Sequence, residues 1–154
     1  MTEIKQKMTV TQKMQATCPT HARTDISARA HESVIDEPES RGGTDLGLTP
    51  TETAMAALLG CTNTIANRIA HSLEVEFADF HIDMEADFDR RGVSLIEEVD
   101  VPFPEIRLSI SVKTAATEDQ MNEIRSRLSK FCPVAKLFRQ AGTNVIETWN
   151  VTPA

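Results

Sequence analysis

The chain has 154 residues and a mass of 17.0 kDa; 40% of it is hydrophobic, 25% is charged, and tyrosine is absent. Those values fit a single soluble domain, residues 1–154, built around one core. Sixteen basic against twenty-three acidic residues leave a net charge of −7, which argues against a nucleic-acid backbone as partner. No basic segment leads into an apolar one at the start, and no apolar run approaches the ~20 residues needed to cross a bilayer. Neither a secretory signal nor a membrane partner is therefore expected. A cytoplasmic, reducing setting follows, in which thiols are usually buried, metal-bound or reactive.

Residues 5–16 alternate loosely through Met8, Val10 and Met14 and predict a first strand. A polar turn, TCPTHART, separates it from a second strand around Ile26, Ala28 and Ala30. Val34 and Ile35 then lead into DEPESRGGTDLG, a loop by its Pro38 and its three glycines. Thr49-Pro50-Thr51-Glu52 has the pattern of a capping box, with Thr49 at the N-cap, Pro50 opening the helix and Glu52 reaching back. The helix it opens runs to Leu73, about 36 Å at ~1.5 Å per residue. Its stretch from Ala54 to Cys61 is nearly all small or apolar, so burial on most sides is expected, with a second subunit supplying part of the cover.

Phe80, Ile82, Met84, Ala86 and Phe88 alternate with His81, Asp83, Glu85 and Asp87, which defines a half-buried strand. A long connection with Pro102 and Pro104 precedes the next strand, marked by Ile106, Leu108, Ile110 and Val112. Thr117 opens a helix carrying Met121, Ile124 and Leu128, and Phe131-Cys132-Pro133 breaks it. A short helix follows and stops at Gly142, and Asn144 to Val151 is the last strand. The order β-β-α-β-β-α-α-β predicts an α+β domain with an antiparallel sheet covering a central helix.

Three cysteines carry the chemistry to be weighed. Cys61 falls in the middle of the long helix, too far from its N-terminus for the dipole to generate a thiolate. Inert packing and reactivity both stay open for it; reactivity would need a cation, for which Arg68 two turns on and Arg23 or Arg29 upstream are the candidates. Glu52 lies nine residues before Cys61 and on the opposite face, so it is either a cap or acts across a subunit interface. Cys132 before Pro133 takes an N-cap position, where backbone N–H groups would lower its pKa; a packed small residue at a helix break is the other reading. Cys18 has no evident partner. The spacing of cysteines and histidines does not match structural zinc, and no G-x-S-x-G elbow signals a hydrolase.

Taken together, DEP…GGTDLGLTPTETAMAALLGCTNTIA and the downstream FCPVAKLF resemble the OsmC/Ohr family of osmotically inducible and organic hydroperoxide resistance proteins. The resemblance spans almost the whole chain. It implies an intertwined homodimer of long central helices flanked by antiparallel sheets, with thiol sites at the subunit interface. It also implies reduction of organic hydroperoxides, with Cys61 as the peroxidatic cysteine, Cys132 as the resolving one and Glu52 as the family glutamate. The family's activating arginine comes from the N-terminal strand region, which puts Arg23 or Arg29 in that role. A dithiol or lipoyl-bearing protein is the implied reductant, and no cofactor is implied. The nine-residue interval from Glu52 to Cys61 is one shorter than in the best-characterised members and is closer to a redox-protein branch. Two other functions fit the same residues: a thiol protein that senses or carries another electrophile, and a ligand-binding or structural dimer.

Overall fold

A computed structural model describes residues 8–154. Its elements are β1 (Gln15–Thr17), β2 (Thr24–Ala28), β3 (His31–Ile35), α1 (Pro50–Ser72), β4 (Ala78–Ala86), β5 (Glu105–Thr114), α2 (Glu118–Phe131), α3 (Pro133–Gln140) and β6 (Asn144–Pro153). This is an α+β fold with one long helix. One unit ends at Met55 and a second comprises Ala56–Ala154, α1 running through the division.

In the first unit β1, β2 and β3 form an antiparallel meander. The predicted first strand shrinks to Gln15–Thr17, which pairs only with Asp25–Ser27. Met8, Val10 and Met14 are exposed, and residues 5–7 of that prediction lie outside the described residues. Alternation without a partner strand to bury it does not make a strand. The second predicted strand is instead a hairpin, β2–β3, turning at Arg29 and Ala30, with Arg29 in the left-handed region at φ 56°. A non-glycine residue in that conformation leaves no sequence signal for the turn.

The loop after β3 closes around Asp36, which is fully buried. Its carboxylate accepts from the Glu37 N–H at 2.8 Å, the Thr44 N–H at 3.0 Å, the Thr44 hydroxyl at 2.5 Å and the Leu46 N–H at 3.3 Å. The Thr44 hydroxyl, followed by these amides, holds the carboxyl below the usual range despite burial. The loop packs so tightly that a Cβ on Gly43 would sit 1.7 Å from the Glu37 carbonyl oxygen.

Helix α1 starts as its sequence requires. The Thr49 N–H donates to Glu52 Oε2 at 2.8 Å and the Glu52 N–H donates to Thr49 Oγ1 at 3.3 Å, a reciprocal capping box. At the far end Glu74 takes a left-handed φ of 57°, and the N–H groups of Glu74 and Val75 bond back to His71 and Ala70, a Schellman stop without glycine. Leu58, Thr62, Ala66, Ile69 and Ala70 are its buried stripe. The expected burial on most sides is not what this chain by itself shows, because Ala54, Ala57 and Gly60 are exposed.

In the second unit β5 is the centre of a β4-β5-β6 sheet. Ile106, Leu108, Ile110 and Val112 alternate onto one face and are buried against Leu58, Ala66, Ile69, Met121, Ile124 and Leu128. β4 and β5 are antiparallel, as expected, but β5 and β6 pair parallel over their length, Glu105 with Asn144 through Thr114 with Pro153. The cause is topological: α2 and α3 form the crossover that a parallel pair needs. Thr117 caps α2 in a second capping box with Gln120, and Arg139 of α3 bonds Glu147 of β6 at 3.0 Å. No helix among the described residues is long and apolar enough to cross a membrane.

Candidate functional site: two thiols in contact

Cys61 sits one turn after Leu58, which is wholly buried, and so lies at the edge of the buried stripe of α1; its side chain is half-buried. Cys132 is fixed by the two helices it joins. Its N–H bonds the Leu128 carbonyl and ends α2, and its carbonyl accepts from the Lys136 N–H and begins α3. Pro133 forces it into the extended conformation seen, φ −73° and ψ 108°. These constraints set Cys132 Sγ 3.2 Å from Cys61 Sγ across 71 residues of chain, the Cys132 thiol donating. The two sulfurs are in contact without a bond between them.

The pair is asymmetric. Cys132 is 1% exposed, whereas Cys61 is only partly buried. Burial pushes the Cys132 thiol up to about 11, outweighing the N–H groups of Ala135 and Val134, and the neighbouring Cys61 adds to the rise. This corrects the expectation that the N-cap position lowers the pKa of Cys132. The backbone amides act in the predicted direction, but the loss of water around the sulfur is the larger effect. Cys132 therefore keeps its proton at neutral pH and directs it at Cys61.

The other candidates are placed less centrally. Glu52 is engaged in the α1 cap, and the Thr49 N–H is the largest of the influences holding its carboxyl below the usual range. Arg23 makes a two-pronged pair with Asp25 at 2.7 and 3.1 Å, and Arg29 is exposed at the β2–β3 turn. Arg68 is exposed on α1, makes no hydrogen bond to Cys61, and lines a cleft of about 320 Å³ with Ile65, Ile69, Ser72, Arg127 and Phe131. Arg127, absent from the sequence-derived candidates, bonds Ser72 Oγ at 3.2 Å and lies 5.8 Å from the Phe131 ring centroid. The one sequence signal for it is its position four residues before Phe131, on the same helix face, a spacing the sequence analysis did not use. Cys18 is exposed and touches the Thr24 hydroxyl at 4.0 Å.

The sequence profile of OsmC-like proteins matches residues 42–148, a span holding both thiols and the cap of α1. The chain belongs to the OsmC/Ohr family. Solved structures agree in fold. An OsmC-like protein from Mycoplasma pneumoniae superposes with a TM-score of 0.73 at 16% identity, covering 96% of this chain and 99% of that one. A hypothetical protein from Aquifex aeolicus gives 0.75 at 16% identity over 95% and 99%. The organic hydroperoxide resistance protein OhrB of Bacillus subtilis gives 0.56 at 19% identity over 93% and 98%. Comparison with curated proteins gives no match. Family membership and two thiols in direct contact support redox-related activity in general terms.

Proposed function

We propose that the protein is a cytoplasmic, homodimeric thiol peroxidase that reduces organic hydroperoxides to alcohols. The observation that carries this is the asymmetric pair: a partly exposed Cys61 and a buried Cys132 whose sulfurs are 3.2 Å apart. As thiolate, Cys61 attacks the outer oxygen of ROOH; the O–O bond breaks and RO⁻ leaves, taking a proton to become ROH. The product is Cys61 sulfenic acid. The Cys132 thiol then attacks that sulfur, and water departs as the Cys61–Cys132 disulfide forms. An external dithiol, such as a dihydrolipoyl protein, supplies the two electrons and two protons that restore both thiols. The developing alkoxide requires a cation. The family resemblance assigns that part to an arginine of the N-terminal segment, Arg23 or Arg29, and Glu52 would orient it.

A second reading has one observation in its favour. The Glu52 carboxylate is taken up by its own helix cap, which leaves the arginine-orienting part unfilled in this chain. A thiol protein that carries or senses another electrophile needs no such part.

Stopped-flow mixing of the reduced protein with cumene hydroperoxide and, separately, hydrogen peroxide decides between them. The peroxidase gives faster thiol loss with the organic peroxide and a Cys61–Cys132 bond by mass spectrometry. Cys132→Ser should stop at a trappable sulfenic acid. Slow, unselective oxidation without that bond would remove the peroxidase reading.

A further inference from the structure

The cleft beside the thiols has a composition that the peroxidase chemistry does not use. Ile65 and Ile69 of α1 and Phe131 of α2 provide an apolar wall, while Arg68 and Arg127 bring two guanidinium groups to it. Arg127 is held in place by Ser72 and the Phe131 ring, and its nearest carboxylate, Glu123, is 4.0 Å from Nε. Arg68 has no ion pair among the described residues. A guanidinium has five N–H donors, so most of the donor capacity of the two side chains is uncommitted. In a protein of net charge −7, two such cations beside an apolar wall are complementary to one kind of molecule, an apolar chain ending in an anion. Arg68 is also seven residues along α1 from Cys61, roughly 10 Å, and Phe131 adjoins Cys132. Ile65, one turn after Cys61, and Phe131, next to Cys132, both line the cleft, so it borders the segments that carry the two sulfurs.

We propose that this cleft is a carboxylate-recognition subsite, in which Arg68 and Arg127 hold the carboxylate of an aliphatic ligand whose stem lies on Ile65, Ile69 and Phe131. Resting on the peroxidase reading, the natural occupant is a hydroperoxide whose carboxylate is about 10 Å from the peroxide group, and the subsite sets substrate preference. The binding itself does not depend on the redox chemistry.

Calorimetric titration of the full-length reduced protein with decanoate and with methyl decanoate tests the subsite. Decanoate should bind about tenfold or more tightly than the ester, the worth of charge-assisted hydrogen bonds to a carboxylate. Arg127→Gln and Arg68→Gln should each remove most of that difference and leave ester binding in place, and Arg127→Lys should restore part of it. Equal affinity for acid and ester, no binding of decanoate because a second copy covers the cleft, or indifference to both substitutions would overturn the proposal. A parallel arm compares a long-chain hydroperoxy acid with its methyl ester, using cumene hydroperoxide as reference. Arg127→Gln should lower kcat/KM for the acid by about tenfold relative to its methyl ester, collapsing the acid-over-ester preference, and Arg127→Lys should restore part of it. Failure of cumene hydroperoxide to oxidise Cys61 would sink the peroxidase reading, while the decanoate titration would still decide the cleft.

Discussion

In the N-terminal unit the buried side chains among the described residues are Asp36 and Thr49, both polar; in the C-terminal unit they are chiefly Leu58, Ile106, Leu108, Ile110, Met121, Ile124 and Leu128. One unit is organised by directed hydrogen bonds to a single carboxylate and to a helix cap, the other by apolar area withdrawn from water. The two kinds of order fail differently. Apolar burial is non-directional and insensitive to pH, whereas a hydrogen-bonded carboxylate depends on geometry and on staying ionised. The two thiols in contact follow the same division: Cys61 and Cys132 are both in the apolar unit, and it is that surrounding which raises the Cys132 pKa.

The comparison is broken most severely by Leu108→Ala, which opens a cavity in the centre of the apolar unit and should cost about 2–5 kcal/mol in chemical denaturation. Alkaline pH should weaken the same unit through the buried Cys132 thiol rather than through its apolar area. The folded pKa of Cys132 is raised, so its contribution is complete below the unfolded value, near 9.0, and is lost as pH rises toward about 11. The loss is on the order of 3 kcal/mol, at ~1.4 kcal/mol per pKa unit, and it should be absent in Cys132→Ser. Thr49→Ala removes the cap of α1 and should cost about 1 kcal/mol. Gly60 has open space where a Cβ would go, so Gly60→Ala should stabilise the isolated chain by about 0.5–1 kcal/mol. A destabilised dimer in its place would mean that another helix approaches there.

The acid side sharpens the contrast with the smallest effect. The Asp36 pKa is lowered, so its contribution is present above the unfolded value near ~3.9 and is lost as pH falls through the folded one. Hydrogen exchange at the Thr44 and Leu46 amides should quicken in that range, and in Asp36→Asn at neutral pH, well before the amides of β5 respond.

The sequence made the helices legible because their signals are local. The Thr49 and Thr117 caps, the 3.6-residue periodicity and Pro133 all act within a few residues of where they are read. The β2–β3 hairpin was not legible, since Arg29 turns the chain where glycine or asparagine would have marked it. Parallel pairing of β6 beside β5 depends on where two helices carry the chain, not on the residues of β6. The Asp36 cluster draws partners from eight and ten residues away in a segment that reads as loop. Within the site, neither spacing nor periodicity could bring Cys61 to Cys132; family resemblance implied the pair, and the direction of the Cys132 pKa became visible only with its burial.

The high pKa of Cys132 also bears on how long an oxidised pair would persist. An incoming thiol meets Cys61 first, because Cys132 is closed to solvent, and Cys132 must then depart as thiolate. A thiol held up to about 11 is a sluggish leaving group. Once formed, the bond would resist casual exchange with single thiols, giving the oxidised protein a dwell time set from inside its own core.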